Sequence, residues 1–199
     1  FEGIVWRRPL ESAVFMAYTG CAKFLRCGAY DAANGNNVNF AMGRGCDTIL
    51  LEGCSAWGSG RYKFLAYLSS RIIFRQCVGR LDRVNAFSSR NEPIAIYAIY
   101  HSSDCLAQNC VAIDSDQTAA YTNYDGLWGS FYTISNGEPC DSNQWLSCVA
   151  LNVALGGLFT DTAVANAVFR NCIAWDCYWS ASDTAVRHLI RGHNTLLDR

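Results

Sequence analysis

The chain has 199 residues, 16 Lys and Arg against 17 Asp and Glu for a net charge of −1, and 51% hydrophobic residues. Dispersed charge of both signs excludes a nucleic-acid-binding face and a polybasic membrane surface, and no apolar run reaches the roughly 18 residues that span a bilayer. A chain of this length buries one sizeable core, so residues 1–199 are expected to form a single domain. It starts at Phe1 without an initiator Met or a charged-then-apolar leader, and reads as a part or processed product of a longer chain.

From the N-terminus onward one pattern recurs: a cysteine followed two places later by a small residue. The rows centre on Cys27, Cys54, Cys77, Cys110, Cys148 and Cys172. Phe1-Glu2-Gly3-Ile4 and Ile190-Arg191-Gly192-His193 align with Leu51-Glu52-Gly53-Cys54 and add a row at each end. Steps between column positions are 23, 27, 23, 33, 38, 24 and 21 residues, the range of stacked repeat architectures. A gapless alignment of residues 67–77 with 100–110 sets Tyr67 on Tyr100 and Cys77 on Cys110 and supports the register.

Each row predicts short strands around a tight bend. Ile49 to Leu51, Ile72 to Phe74 and Ala167 to Phe169 are apolar and partly β-branched or aromatic, at strand length. The residue before the column is Gly3, Gly53, Asn109, Asn171 and Gly192 in five of eight rows. Gly and Asn tolerate positive φ, so a one-residue bend belongs there. The chain resumes as Val111-Ala112-Ile113 or Ile173-Ala174-Trp175, and Asp31, Asp114, Asn152 and Asp176 mark the next turn. Three such segments in about 22–25 residues make one coil of a parallel β-helix. The expected fold is all-β: a single-stranded β-solenoid of about 7–8 coils. A β-sandwich would show recurring hairpin signals, which are missing. The leucine and asparagine spacing of a leucine-rich solenoid is missing too.

Eleven cysteines are an odd number, and six of them share one repeat position. Coils about 4.8 Å apart would stack Cys27, Cys54, Cys77, Cys110, Cys148 and Cys172 into an internal ladder of small apolar fillers. Disulfides between adjacent coils stay open as an alternative. With no CxxC motif and no His–Cys cluster, no metal site is expected.

Two steps are long. The excess falls in residues 81–93, rich in Arg, Asn and Ser, and in residues 114–143, which hold Tyr121, Tyr124, Trp128, Tyr132 and a turn at Gly137 to Pro139. Adjacent insertions would emerge on one side and wall a groove, where binding and catalysis concentrate. A stripe three residues past the column holds Tyr30, Trp57, Arg80, Ile113, Leu151 and Trp175. Facing out, its rings beside Asp31, Asp114 and Asp176 form a ledge for sugar rings. Facing in, they are core, and a one-residue slip separates the two.

Arg170-Asn171-Cys172-Ile173-Ala174-Trp175-Asp176, Gln108-Asn109-Cys110-Val111-Ala112 and Cys54-Ser55-Ala56-Trp57-Gly58 resemble coils of the right-handed parallel β-helices of the pectate-lyase-like superfamily. The resemblance implies a right-handed helix and covers nearly the whole chain. Members include polysaccharide lyases and hydrolases, phage tailspikes and adhesins, so fold does not name function. The lyases' tryptophan-isoleucine-aspartate-histidine signature and the hydrolases' Asp-Asp pair are missing. Gly192-His193-Asn194 only faintly echoes a hydrolase Gly-His-Gly.

Remaining polar candidates are few. Asp114 and Asp116 flank a serine and could bind calcium or a sugar hydroxyl, against the blander reading of a solvated acidic turn. His101 and Asp104 could pair as acid and base, with Arg61, Lys63 or Arg80 stabilising an anion. The favoured expectation is a secreted or cell-surface structural or recognition solenoid. It would associate end to end or with a neighbouring domain, as a fibre or an adhesin-like stalk, with glycan contacts at Tyr30, Trp57, Arg80, Asp114, Asp116 and Trp175. It would take no nucleic acid and need no cofactor. The alternative is a lyase or hydrolase acting on acidic polysaccharide beside the long loops. It would draw on Asp114, Asp116, Asp125, Glu138 and Asp141.

Overall fold

A computed structural model describes residues 1–33, 36–81, 95–115, 129–135, 138, 140–153, 156–160, 164–175, 177, 188–190 and 196–198. The first coil holds β1 (Val5–Arg7), β2 (Val14–Met16) and β3 (Gly20–Leu25). The second holds β4 (Gly28–Tyr30), β5 (Val38–Met42) and β6 (Asp47–Glu52), and the third β7 (Ser55–Trp57), β8 (Tyr62–Tyr67) and β9 (Ser70–Arg75). Next come β10 (Val78–Leu81), β11 (Ala95–Tyr100) and β12 (Leu106–Gln108), then β13 (Val111–Ser115), β14 (Gly129–Ile134) and β15 (Gln144–Leu146). The last two coils hold β16 (Val149–Leu151), β17 (Gly156–Thr160) and β18 (Val168–Arg170), then β19 (Ile173–Trp175), β20 (His188–Ile190) and β21 (Leu196–Asp198).

Every third strand joins the same sheet, which gives three parallel seven-stranded sheets: a first beginning at β1, a second at β2 and a third at β3. The fold is an all-β parallel solenoid. Among the described residues there is no helix, and so none long and apolar enough to cross a membrane.

The tight corner from the third sheet to the first takes two residues, the second of them the cysteine, in all six coil-to-coil steps from β3–β4 to β18–β19. Its first residue has φ near 50–65° at Gly3, Arg26, Gly53, Gln76, Asn109, Ser147 and Asn171. Arg, Gln and Ser therefore adopt the left-handed bend that the Gly and Asn rows suggested. The reason lies in stacking: the corner N–H of Arg26 donates to Glu52 O (2.8 Å), that of Gln76 to Gln108 O (2.9 Å) and that of Ser147 to Arg170 O (2.8 Å). A bond to the next coil offsets the roughly 1–2 kcal/mol that a left-handed residue costs.

Inside, the second sheet contributes Phe40, Phe64, Tyr97 and Phe131, paired in register and stacked with centroids 5.3, 4.8 and 5.0 Å apart. The first sheet contributes the small residues Ala29, Ala56, Gly79, Ala112 and Ala150, all buried. Small residues there leave room for rings crossing the interior, and the Tyr97 hydroxyl reaches across to donate to Val111 O at 3.1 Å.

Candidate functional site

The column cysteines sit immediately before the strands of the first sheet, between it and the third. Each thiol from Cys54 onward donates to a carbonyl one coil back: Cys54 to Phe24 O (3.4 Å), Cys77 to Leu51 O (3.4 Å), Cys110 to Phe74 O (3.4 Å), Cys148 to Ala107 O (3.5 Å) and Cys172 to Trp145 O (3.2 Å). All eleven cysteines are free thiols. Burial pushes the Cys77 thiol well above its ordinary pKa, with its neighbours Cys110 and Cys54 adding to the rise. Burial likewise pushes Cys105 up to about 12. Held protonated, Cys77 and Cys105 are neither nucleophiles nor metal ligands, whereas hydrogen bonds from neighbouring thiols lower the pKa of Cys54 and Cys172.

With the column and its small residues inside, the stripe three places on faces out. Trp57 is 42% and Trp175 67% exposed, while Ala56 beside Trp57 is fully buried. In the paired first three coils the stripe is Arg7, Tyr30 and Trp57. Tyr30 stacks on Trp57 (4.4 Å, 24°), and the Arg7 guanidinium lies 5.7 Å from the centre of the Tyr30 ring. The Tyr30 hydroxyl meets Ser55 Oγ at 3.1 Å. Asp31 pairs with Arg8 at 3.8 Å, and these residues border an open depression of about 500 Å³. The rings are thus turned toward one another along the axis.

Farther along, Arg80 pairs with Asp114 at 3.1 Å, and Asn152 Nδ2 donates to Asp114 Oδ1 at 3.1 Å. Asp116, Asp125 and Gly192-His193-Asn194 lie outside the described residues, as do residues 82–94 and 116–128 of the long steps. Part of the second long stretch is β14 of the core wall rather than loop. Among the described residues no group of three His, Cys, Asp or Glu is placed to hold a metal.

A second concavity lies on the outer face of the second sheet. Phe15, Ala41 and Leu65 pair in register there, pointing away from the Phe40–Phe131 stack. Together with Tyr62, Tyr67, Tyr100, Arg44 and Arg61 they line a cleft of about 620 Å³. Tyr67 and Tyr100 pack at 5.1 Å, and the Arg61 guanidinium donates to Asn36 Oδ1 at 2.8 Å and lies 5.8 Å from the Tyr62 ring. Arg61 Nε is buried without a hydrogen-bond partner among the described residues. No Asp or Glu lines the cleft among the described residues.

His101 packs its ring against Tyr100 (4.1 Å) and Tyr67 (5.8 Å) rather than meeting a carboxylate, and its Nε2 is buried without a partner among the described residues. Burial lowers its pKa, with the charge of Glu138 opposing. Lys63, expected to face an anion, is instead fully buried. Asp114 lies within β13 of the first sheet and Asp141 precedes β15 of the third, so these carboxylates belong to different sides of the coil. No family model, curated protein or solved structure matches the chain, so its chemistry is argued from this geometry.

Proposed function

We propose that the chain is a secreted or cell-surface recognition solenoid that holds an extended glycan in the cleft on the outer face of the second sheet. The carrying observation is the grouping of Phe15, Tyr62, Tyr67 and Tyr100 with Arg44 and Arg61 in one cleft. Aromatic rings supply apolar contact, and guanidinium groups suit carboxylate or sulfate substituents. Rigid strands hold the four rings at little ordering cost on binding, while Arg44 follows β5 and Arg61 precedes β8. Membership of the pectate-lyase-like superfamily is part of this proposal and rests on the asparagine-cysteine-aliphatic rows.

A lyase or hydrolase in the same cleft is the weaker reading. Glycoside hydrolysis takes two convergent carboxylates, and the described lining has none. Association along the axis is favoured by a separate observation. Strands β1, β2 and β3 are sheet edges, and Phe1, Val5, Leu10 and Phe15 of that coil are exposed. A further coil, from a second copy or from preceding chain, would pair there.

The test is titration calorimetry against neutral and acidic polysaccharides with wild type, Arg61→Gln and Tyr100→Ala. Acidic glycan binding that weakens at least about tenfold in both variants, the effect of about 1.4 kcal/mol, is expected. Binding untouched by both variants would refute the cleft, and release of shortened or unsaturated products would transfer the case to the enzyme.

A further inference from the structure

The turn leading from the first sheet to the second in the third coil has its oxygens turned inward. Lys63, on β8, is completely buried. Its Nζ donates to the carbonyls of Gly58 (2.5 Å), Ser59 (2.9 Å) and Gly60 (3.3 Å) and to Asn39 Oδ1 (3.2 Å). Three successive carbonyls converge on one point because Gly58 and Gly60 adopt φ of +80° and +120°. A side chain is strained at both by that φ, and a Cβ would come 2.0 Å from Asp31 Oδ1 at Gly58 and 2.7 Å from Asn39 Oδ1 at Gly60.

The cage is held independently of the lysine. Ser59 Oγ donates to Ala32 O at 2.8 Å, and the Asn39 amide donates to Ala29 O at 3.1 Å, which turns its oxygen toward Nζ. Asp31, accepting from Ser59 N at 3.4 Å, adds negative charge just outside. An ammonium has three N–H groups, yet four oxygens stand within 3.3 Å of this one. A surplus of acceptors around a dehydrated positive centre is the arrangement by which carbonyl oxygens replace an ion's hydration shell.

We infer that the Gly58–Gly60 loop and Asn39 form a site for a desolvated monovalent cation of ammonium size, potassium or ammonium itself. The Lys63 ammonium is its tethered occupant. The competing account is that the oxygens merely adapt to a lysine and collapse without it.

The experiment compares wild type and Lys63→Ala by thermal unfolding in potassium, ammonium, sodium and choline chlorides at equal ionic strength. Lys63→Ala is expected to melt lowest in choline and to gain about 3–6 °C in potassium or ammonium at ten times Kd, with wild type shifting equally little in all four. Should the alanine variant fail to fold in choline, recovery of its far-ultraviolet β-sheet signal in potassium or ammonium supports the site. Failure to fold in all four salts overturns it. Lys63→Gln, whose amide supplies its own donor, is expected to fold without distinguishing the salts. An alanine variant that folds with one melting temperature in all four salts overturns the inference, as does a response to sodium equal to that for potassium.

Discussion

Replacing Gly79 by alanine sets the repeat against the packing. Five other rows carry alanine at this inward position (Ala29, Ala56, Ala112, Ala150 and Ala174), so pattern alone recommends the change. Its φ is not left-handed, and Gly→Ala at a compatible position stabilises by about 0.4–1 kcal/mol. Yet a Cβ at Gly79 would lie 2.2 Å from Ile96 Cγ2, whereas Tyr97 and Lys63 stay at 3.4 and 3.6 Å. Ile96 is fully buried, and its Cγ2 sits on a branched carbon that cannot swing away without leaving its rotamer. An approach this far inside contact distance belongs in the upper part of the usual overpacking cost, about 2–3 kcal/mol, so the net loss is about 1–2.5 kcal/mol. For a chain of this size that lowers Tm by about 2–10 °C. Urea unfolding of wild type, Gly79→Ala, Ile96→Ala and the double variant closes the cycle. Ile96→Ala alone is expected to cost about 2–5 kcal/mol. In that background Gly79→Ala should become neutral or stabilising, giving a coupling of about 1–3 kcal/mol. A Gly79→Ala protein as stable as wild type would refute the account of how the first and second sheets meet.

Three further outcomes are expected. Alkylation of the native protein at mildly alkaline pH, followed by peptide mass spectrometry, should modify exposed Cys21 quickly and leave Cys27, Cys54, Cys77, Cys110 and Cys148 protected until unfolding; rapid labelling of the column would contradict its burial. Gln76→Gly should raise stability by about 0.5–1 kcal/mol in urea titrations, since it relieves an exposed left-handed residue (φ 52°) at some entropic cost. The lowered His101 pKa means the unfolded chain binds that proton first. Stability should therefore fall as pH drops through the unfolded value of about 6.5 toward the lower native one. His101→Gln should flatten that part of the profile, and an unchanged slope would remove His101 as its source.

The parts of the fold legible in the sequence are those where chain length is constant. Between the third and first sheets two residues always intervene, so the cysteines, the alanines after them and strands such as β19 align by simple counting. The aromatic stack of the second sheet escaped notice because Phe40, Phe64, Tyr97 and Phe131 stand 13, 10, 20 and 21 residues past Cys27, Cys54, Cys77 and Cys110. A variable corner intervenes and scrambles the column. The same scrambling hid the cleft, although Tyr67 over Tyr100 was present in the aligned stretch 67–77 and 100–110. The direction of the Trp57 stripe was a question of parity that only packing decides. Lys63 gave no sign of its burial, since the oxygens around it are backbone carbonyls, which carry no residue signature.

The unequal corners have a consequence for how such a chain can change. Between the third and first sheets the connection is two residues in every step, whereas between the first and second it runs from 4 to 13. An insertion at the tight corner would displace a cysteine and every pairing beyond it. One at the loose corner leaves all three registers intact. Variation is thereby channelled away from the tight corner, to the connections that already differ in length from coil to coil. The tight corner acts as the winding gauge that keeps each new turn in step.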